Sequence, residues 1–296
     1  AFLLRTPRAA PLARFSSAVP LDPAVALLGP VAYDAAAAAA ARRAKLKKTA
    51  AIQLNAKLLA AQDQEAILSI YASEGPQFNE INTATALHRL AKVSRRTGAA
   101  DARLERLARL AAATAEGWEP RHCANVCWAV AKLGNVSAAP ALFDVVASKA
   151  IKTIAKWSPQ EIGNLAWSFA KVKIRDPKLF AVISEAAQPQ LGKYKPQELT
   201  QLTWSFAWLN LSGGGGGRLF HAVSAQAILR MSTFGAQDVA NTVWAFAKAQ
   251  VRAPALFQKA ALQVSEKIET FNPQELANVV WAFSTAGVEA PLLYEA

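Results

Sequence analysis

Read for apolar and polar positions, the chain repeats itself. From Phe271 to Phe283 it runs Phe-Asn-Pro-Gln-Glu-Leu-Ala-Asn-Val-Val-Trp-Ala-Phe, and the same order recurs from Trp157 to Phe169, Tyr194 to Phe206 and Phe234 to Phe246. Trp118 to Val130 keeps it with drift, and Phe78 to Leu90 is a worn copy in which His88 replaces the late tryptophan. The early aromatics stand at 78, 118, 157, 194, 234 and 271, and the late ring follows ten residues on each time, at 88, 128, 167, 204, 244 and 281. A period of roughly 37 residues marks a solenoid built from one repeated supersecondary unit.

Upstream of the last four early aromatics sits a Leu-Phe pair: Leu142-Phe143, Leu179-Phe180, Leu219-Phe220 and Leu256-Phe257. Its Phe precedes the aromatic by fourteen residues in every case, whereas the distance from the late Trp to the next such ring varies between 13 and 16. The unit is therefore rigid from Leu-Phe to Trp, and length change collects in the loop between units, where Gly213 to Gly217 read as a flexible insert. The predicted architecture is all-α: an α-solenoid of stacked two-helix repeats from about residue 61, about six of them, the last incomplete at Leu293-Tyr294.

Helix starts are written into each unit. Ser158 and Asn272 are N-cap types, Pro159 and Pro273 suit the first helical position, and Glu161 and Glu275 complete a capping box. The early aromatic before the cap pairs with an apolar residue one turn in, as Trp157 with Ile162 or Phe271 with Leu276, which is a hydrophobic staple.

Counted from the early aromatic, the second helix shows three faces. Offsets 5, 8, 9 and 12 (Leu276, Val279, Val280, Phe283) form the core stripe toward the first helix. Ala277, Trp281 and Ser284 form a flank for the next unit, so the late tryptophans are expected to be buried between repeats. Offsets 7, 11 and 14 combine an amide, a small residue and usually a lysine: Asn125-Ala129-Lys132, Asn164-Ser168-Lys171, Gln201-Ser205-Trp208, Asn241-Ala245-Lys248 and Asn278-Ala282-Thr285, with Thr85-Arg89-Lys92 in the worn copy. Amides can pair with base edges, small residues let a strand approach, lysine meets phosphate and Trp208 could stack a base. An asparagine ladder tying neighbouring backbones, with solvated lysines, accounts for the same pattern, and both readings stand at this level.

Charge adds a second theme. The net charge is +12, and residues 1–60 hold nine Lys and Arg against Asp22 and Asp34, leaving the repeats mildly basic, which favours polyanions such as RNA. Residues 1–20 carry Arg5, Arg8, Arg14, Ser16 and Ser17 without an acid, the composition of an organelle-targeting segment or of a basic tail. Residues 21–60 read as an Ala/Lys-rich helical linker whose Arg42, Arg43, Lys45, Lys47 and Lys48 form a solvated face or touch phosphates. Cys123 and Cys127 lie four apart on one helix with no His or Cys set at ligand spacing, a structural pair rather than a metal or redox site. No apolar run reaches the ~18 residues of a membrane span.

These residues resemble a known family. Pro-Gln-Glu-Leu-Ala-Asn-Val-Val-Trp-Ala-Phe, ending at Phe283, looks like the core motif of the octotricopeptide repeat, related to RAP-domain and FAST-kinase-like proteins. The run from Phe78 to Lys92 is also similar to helical-repeat subunits of the mitochondrial RNA-editing substrate-binding complex. The resemblance covers about residues 61–296 and implies binding of single-stranded organellar RNA, in the mitochondrial matrix or alternatively a plastid. It implies a role in RNA stability, processing, editing or translation. A non-catalytic scaffold in a mitochondrial ribosome or editing complex is the alternative.

The RNA-binding residues expected on this basis are Lys92, Asn125, Lys132, Asn164, Lys171, Gln201, Trp208, Asn241, Lys248 and Asn278. Enzymatic activity is not expected, because His88, His122 and His221 are scattered and the glycine run lacks the Lys-Ser/Thr of a phosphate-binding loop. No catalytic residue, metal or cofactor is therefore assigned, and no membrane partner.

Overall fold

The computed structural model describes residues 30–94, 101–134 and 136–290, and for residues 30–37 the backbone alone; the expected targeting segment at 1–20 lies outside them. Two compact units divide between Ile52 and Gln53. The division falls within α1 (Pro30–Ala60), whose Arg42, Arg43, Lys45, Lys47 and Lys48, all in the first unit, are exposed. The second unit holds six helix pairs. They are α2 (Gln64–Glu74) with α3 (Glu80–Val93), α4 (Ala102–Thr114) with α5 (Pro120–Leu133), and α6 (Ala139–Thr153) with α7 (Pro159–Lys171). Then come α8 (Pro177–Ala187) with α9 (Pro196–Trp208), α10 (Gly215–Arg230) with α11 (Ala236–Lys248), and α12 (Pro254–Glu266) with α13 (Pro273–Ala286). Among the described residues there is no strand. The repeat period has produced the all-α solenoid it predicts.

The last four pairs are locked by the same contact. The Phe of the Leu-Phe pair meets the Phe at offset 12 edge-to-face: Phe143–Phe169 at 4.8 Å, Phe180–Phe206 at 4.9 Å, Phe220–Phe246 at 5.0 Å and Phe257–Phe283 at 5.1 Å between centroids. All eight rings are buried. In the first pair, Tyr71 against Phe78 at 5.3 Å does this work instead. A short 3-10 turn ends each first helix and delivers the early aromatic in extended backbone, where it seals the corner. The capping boxes form as the sequence predicts: Ser158 N–H donates to Glu161 Oε2 at 2.7 Å, and Asn272 N–H to Glu275 Oε2 at 2.9 Å.

The second helix ends on a feature that composition hides. The residue at offset 16 is left-handed in five units: Gly134, Lys173, Asn210, Gln250 and Gly287, with φ between 53° and 64°. The next amide closes back onto the offset-12 Phe, as Ile174 N–H to Phe169 C=O at 2.9 Å and Val251 N–H to Phe246 C=O at 3.0 Å. This is the Schellman closure, and glycine is its usual residue. Lys173 and Gln250 hold the conformation with a Cβ, which the surrounding bonds must enforce.

First helices pack on first helices and second on second, so the solenoid has two layers. The second layer is the more closely spaced. Small buried residues explain why: offset 6 carries Ala124, Gly163, Thr200 and Ala240, and offset 11 carries Ala129, Ser168, Ser205, Ala245 and Ala282. Thr200 and Thr242 share a hydrogen bond at 3.1 Å across the α9–α11 seam, and a Cβ on Gly163 would stand 3.7 Å from the Glu198 backbone of α9. Ser168 and Ser205 donate to the carbonyls of Asn164 and Gln201, both at 2.5 Å, and so keep their hydroxyls satisfied inside the seam. Long-range bonds repeat with the period too: Arg230 Nη1 reaches Tyr194 C=O at 2.8 Å and Arg103 grips Glu65 at 2.7 Å.

Two expectations need correcting. Gly213–Gly217 is not a free insert, because Gly215 to Gly217 form the first turn of α10. A Cβ on Gly216 would run into the Leu211 carbonyl oxygen, so glycine is required there by close approach. Val280, placed in the core stripe, is 44% exposed. Offset 9 in earlier units faces the following pair, and α13 has no such neighbour among the described residues.

Two stability outcomes follow. Gly216→Ala should lower stability by about 1–3 kcal/mol through overpacking, whereas Gln250→Gly should be neutral to stabilising by up to about 1 kcal/mol, because the left-handed strain is relieved. Chemical denaturation of both variants checks this, and a Gly216→Ala protein as stable as the parent would show that the turn has room.

Candidate nucleic-acid interface

The surface of the second layer is set by which offsets its neighbours cover. Offsets 6, 9 and 13 face the following pair, 11 sits in the seam, and 5, 8 and 12 face inward, all of them buried in the middle units. Left in contact with solvent are offsets 3, 7, 10 and 14, spaced four, three and four as one helical face requires. In α7 they are Gln160, Asn164, Trp167 and Lys171; in α11, Gln237, Asn241, Trp244 and Lys248. The amides and lysines expected from sequence do share this face: Asn125, Asn164, Gln201, Asn241 and Asn278 are half-buried, and Lys92, Lys132, Lys171 and Lys248 are exposed.

The third member of the row is different from the one expected. The small residue at offset 11 lies buried between helices, where it serves close packing and not access for a strand. The late tryptophan takes its place. Trp128, Trp167, Trp204 and Trp244 are half-buried and Trp281 is 43% exposed, so they are not core between repeats. Each touches another ring, and the indoles form a tier in two runs along the layer. Trp128 and Trp167 lie 6.4 Å apart, Trp208 and Trp244 6.0 Å, and Trp244 and Trp281 6.0 Å. His88 extends the tier, 5.2 Å from Trp128.

Cations flank the tier at its α3–α7 end. Lys132 Nζ stands 5.0 Å over the Trp128 ring, a cation–π contact. Burial, and then the positive charges of Lys92, Lys132 and Arg89, hold the His88 imidazole below its ordinary range, so it joins the row as a neutral ring. Arg121 adds an exposed guanidinium at offset 3 of α5. The amide row is linked at one place, where Gln201 Nε2 donates to Asn164 Oδ1 at 3.5 Å. That long bond gives the ladder reading a single rung. Asn125, Asn241 and Asn278 have no side-chain partner among the described residues.

Sequence reasoning missed the glutamines Gln160, Gln197, Gln237 and Gln274, which recur at offset 3, after proline in all but Gln237, and are all exposed. Their recurrence in four units was the available signal. Cys123 and Cys127 are both buried, and burial pushes the Cys123 thiol up to about 12 and Cys127 well above its usual value, as a packing role requires. Among the described residues no group of acids, histidines and cysteines could hold a metal, and no helix is long and apolar enough to cross a membrane.

Stability separates the tier from the core. Phe246→Ala should cost about 3–5 kcal/mol as a buried large-to-small change, and Trp244→Ala only about 1–2 kcal/mol, since its ring is half in water. Thermal unfolding of the two variants side by side is the check, and equal losses would place Trp244 in the core after all.

A row of amide, indole and cation, repeated on successive helices, is a surface that can meet bases with its rings and amides and phosphates with its charges. No curated protein matches the sequence. The profile of the RNA-editing substrate-binding complex 6 protein matches residues 77–291, which takes in α3 to α13 and more than two thirds of the chain. On that match, the chain belongs to the RNA-editing substrate-binding complex 6 protein family.

Proposed function

We propose that this protein is a non-catalytic subunit of an RNA-editing substrate-binding assembly, acting in the mitochondrion, and that the second-layer face contacts single-stranded RNA. The family supports the first part, since its description names such a complex. The observation that carries the second is the offset 3-7-10-14 row, in which glutamine, amide, indole and lysine share one solvent-facing stripe in α7 and α11 and recur with substitutions in the other second-layer helices. Indoles supply sequence-tolerant stacking, amides hydrogen-bond base edges, and lysines neutralise phosphates.

A scaffold role without RNA is the second reading. It is favoured by the family description, which names a complex.

Salt dependence decides between them. Single-stranded RNA binding by the parent should weaken with salt, and the triple variant Lys92→Ala, Lys132→Ala, Lys171→Ala should lower the log–log slope by about 2, at about 0.7 per phosphate contact. Asn241→Ala should leave the slope unchanged and alter preference at one nucleotide by about 1–3 kcal/mol if its contact is bidentate. A parent protein that binds no single-stranded RNA at low salt refutes the RNA reading and leaves the scaffold.

A further inference from the structure

The row is not uniform along the layer. In α3, α5, α7 and α11 offset 14 is lysine, but in α9 it is Trp208. Nothing in the seam requires an indole there: Trp208 is 41% exposed, and four other units close the same seam with a lysine in water. Its ring stacks on Trp204, one turn earlier in the same helix, at 5.2 Å with the planes only 15° apart. On its other side lies Trp244, 6.0 Å away, with the planes opened to 34°. Trp281 continues beyond, 6.0 Å from Trp244 and tilted by 31°. Four indoles thus form a continuous strip over α9, α11 and α13.

Charge is distributed in the opposite sense. The row over α3, α5 and α7 has Lys92, Lys132, Lys171 and Arg121, whereas over α9, α11 and α13 it has Lys248 alone. At the cationic end the face of Trp128 is already taken by Lys132. At the other end the rings diverge into wedges as Trp128 and Trp167 do, but there two wedges follow in series. A base held between two parallel rings needs about twice the ~3.5 Å carbon–carbon contact distance, roughly 1 Å more than the 6.0 Å centroid separations present at Trp208–Trp244 and Trp244–Trp281.

Resting on the RNA reading above, we propose that the binding face is divided: α3 to α7 hold the phosphates of the strand, and the Trp204–Trp208–Trp244–Trp281 strip stacks its unpaired bases, purines above pyrimidines because their rings cover more of an indole. Trp208 is the residue that converts the row from phosphate contact to base contact.

The test uses the full chain with three labelled oligomers of equal length: oligo(A), oligo(U) and an abasic strand. The parent should bind oligo(A) tightest and the abasic strand weakest. Trp208→Ala should weaken oligo(A) about 5- to 100-fold, the range expected for loss of one stacked base, and change the abasic strand little. Trp208→Lys restores the lysine of the other units, so it should lose base preference while raising the salt slope by about 0.7. A strand carrying 2-aminopurine should be quenched on binding the parent and not on binding Trp208→Lys. Unfolding curves matching the parent would show that either variant is folded. If the parent binds all three oligomers equally and Trp208→Ala follows it, the division is overturned while RNA binding stands, and the exposed indoles belong to a protein partner. If the parent binds none, the RNA reading itself has failed and the division falls with it.

Discussion

The structure hangs on one contact made four times, the edge-to-face meeting of two buried phenylalanines from the two helices of a pair. Each ring brings about 1.5–3 kcal/mol of apolar burial, and the pair geometry adds roughly 0.5–1.5 kcal/mol. More important is what the contact fixes. With the two Phe residues clamped at a constant spacing, the helices of these four pairs meet in the same register, and the corner aromatic and its cap fall in the same place. The offset-12 Phe also receives, on its own carbonyl, the bond that ends the second helix. One side chain therefore sets the pairing and marks where the helix stops.

Between pairs the logic is reversed, and smallness does the work. Alanine, serine, threonine and glycine at offsets 6 and 11 let second-layer helices approach closely, while the first layer, built with larger side chains and with reaching contacts such as Arg103–Glu65 and Arg230–Tyr194, stays more widely spaced. Close spacing is what brings the tryptophans of successive units within 6.0 to 6.4 Å of one another in three places. The aromatic tier is a consequence of the small-residue seam directly beneath it. A larger residue at offset 11 would separate both.

That tier gives the second layer a patterned surface. Half-buried indoles are held from below and open from above, amides stand beside them, and cations gather toward α3, α5 and α7. Such an arrangement suits an extended strand with alternating charged and flat chemistry, and it is built on helices rather than loops, which fixes its spacing to the repeat. Membership of the RNA-editing substrate-binding complex 6 protein family accords with the proposed place in a substrate-binding assembly.

Local sequence determined the helix pairs, their caps and their period, because each follows from interactions within some thirty residues: Ser158 with Glu161, Trp157 with Ile162, Phe143 with Phe169. It also named the amides and lysines of the exposed row correctly as sharing a face. It could not choose between offsets 10 and 11 for the row's third member. Both lie on a helical face with offsets 7 and 14, and a tryptophan reads as core while a serine reads as surface. Only the neighbouring helix decides, and it covers Ser168 and leaves Trp167 half open. The glycines of α10 and the left-handed Lys173 and Gln250 were likewise invisible, since composition does not report a carbonyl approaching from five residues away or a φ enforced by bonds on both sides. What the tertiary structure alone settled was occlusion: which of two equally periodic stripes a packed neighbour hides, and so which chemistry meets the solvent.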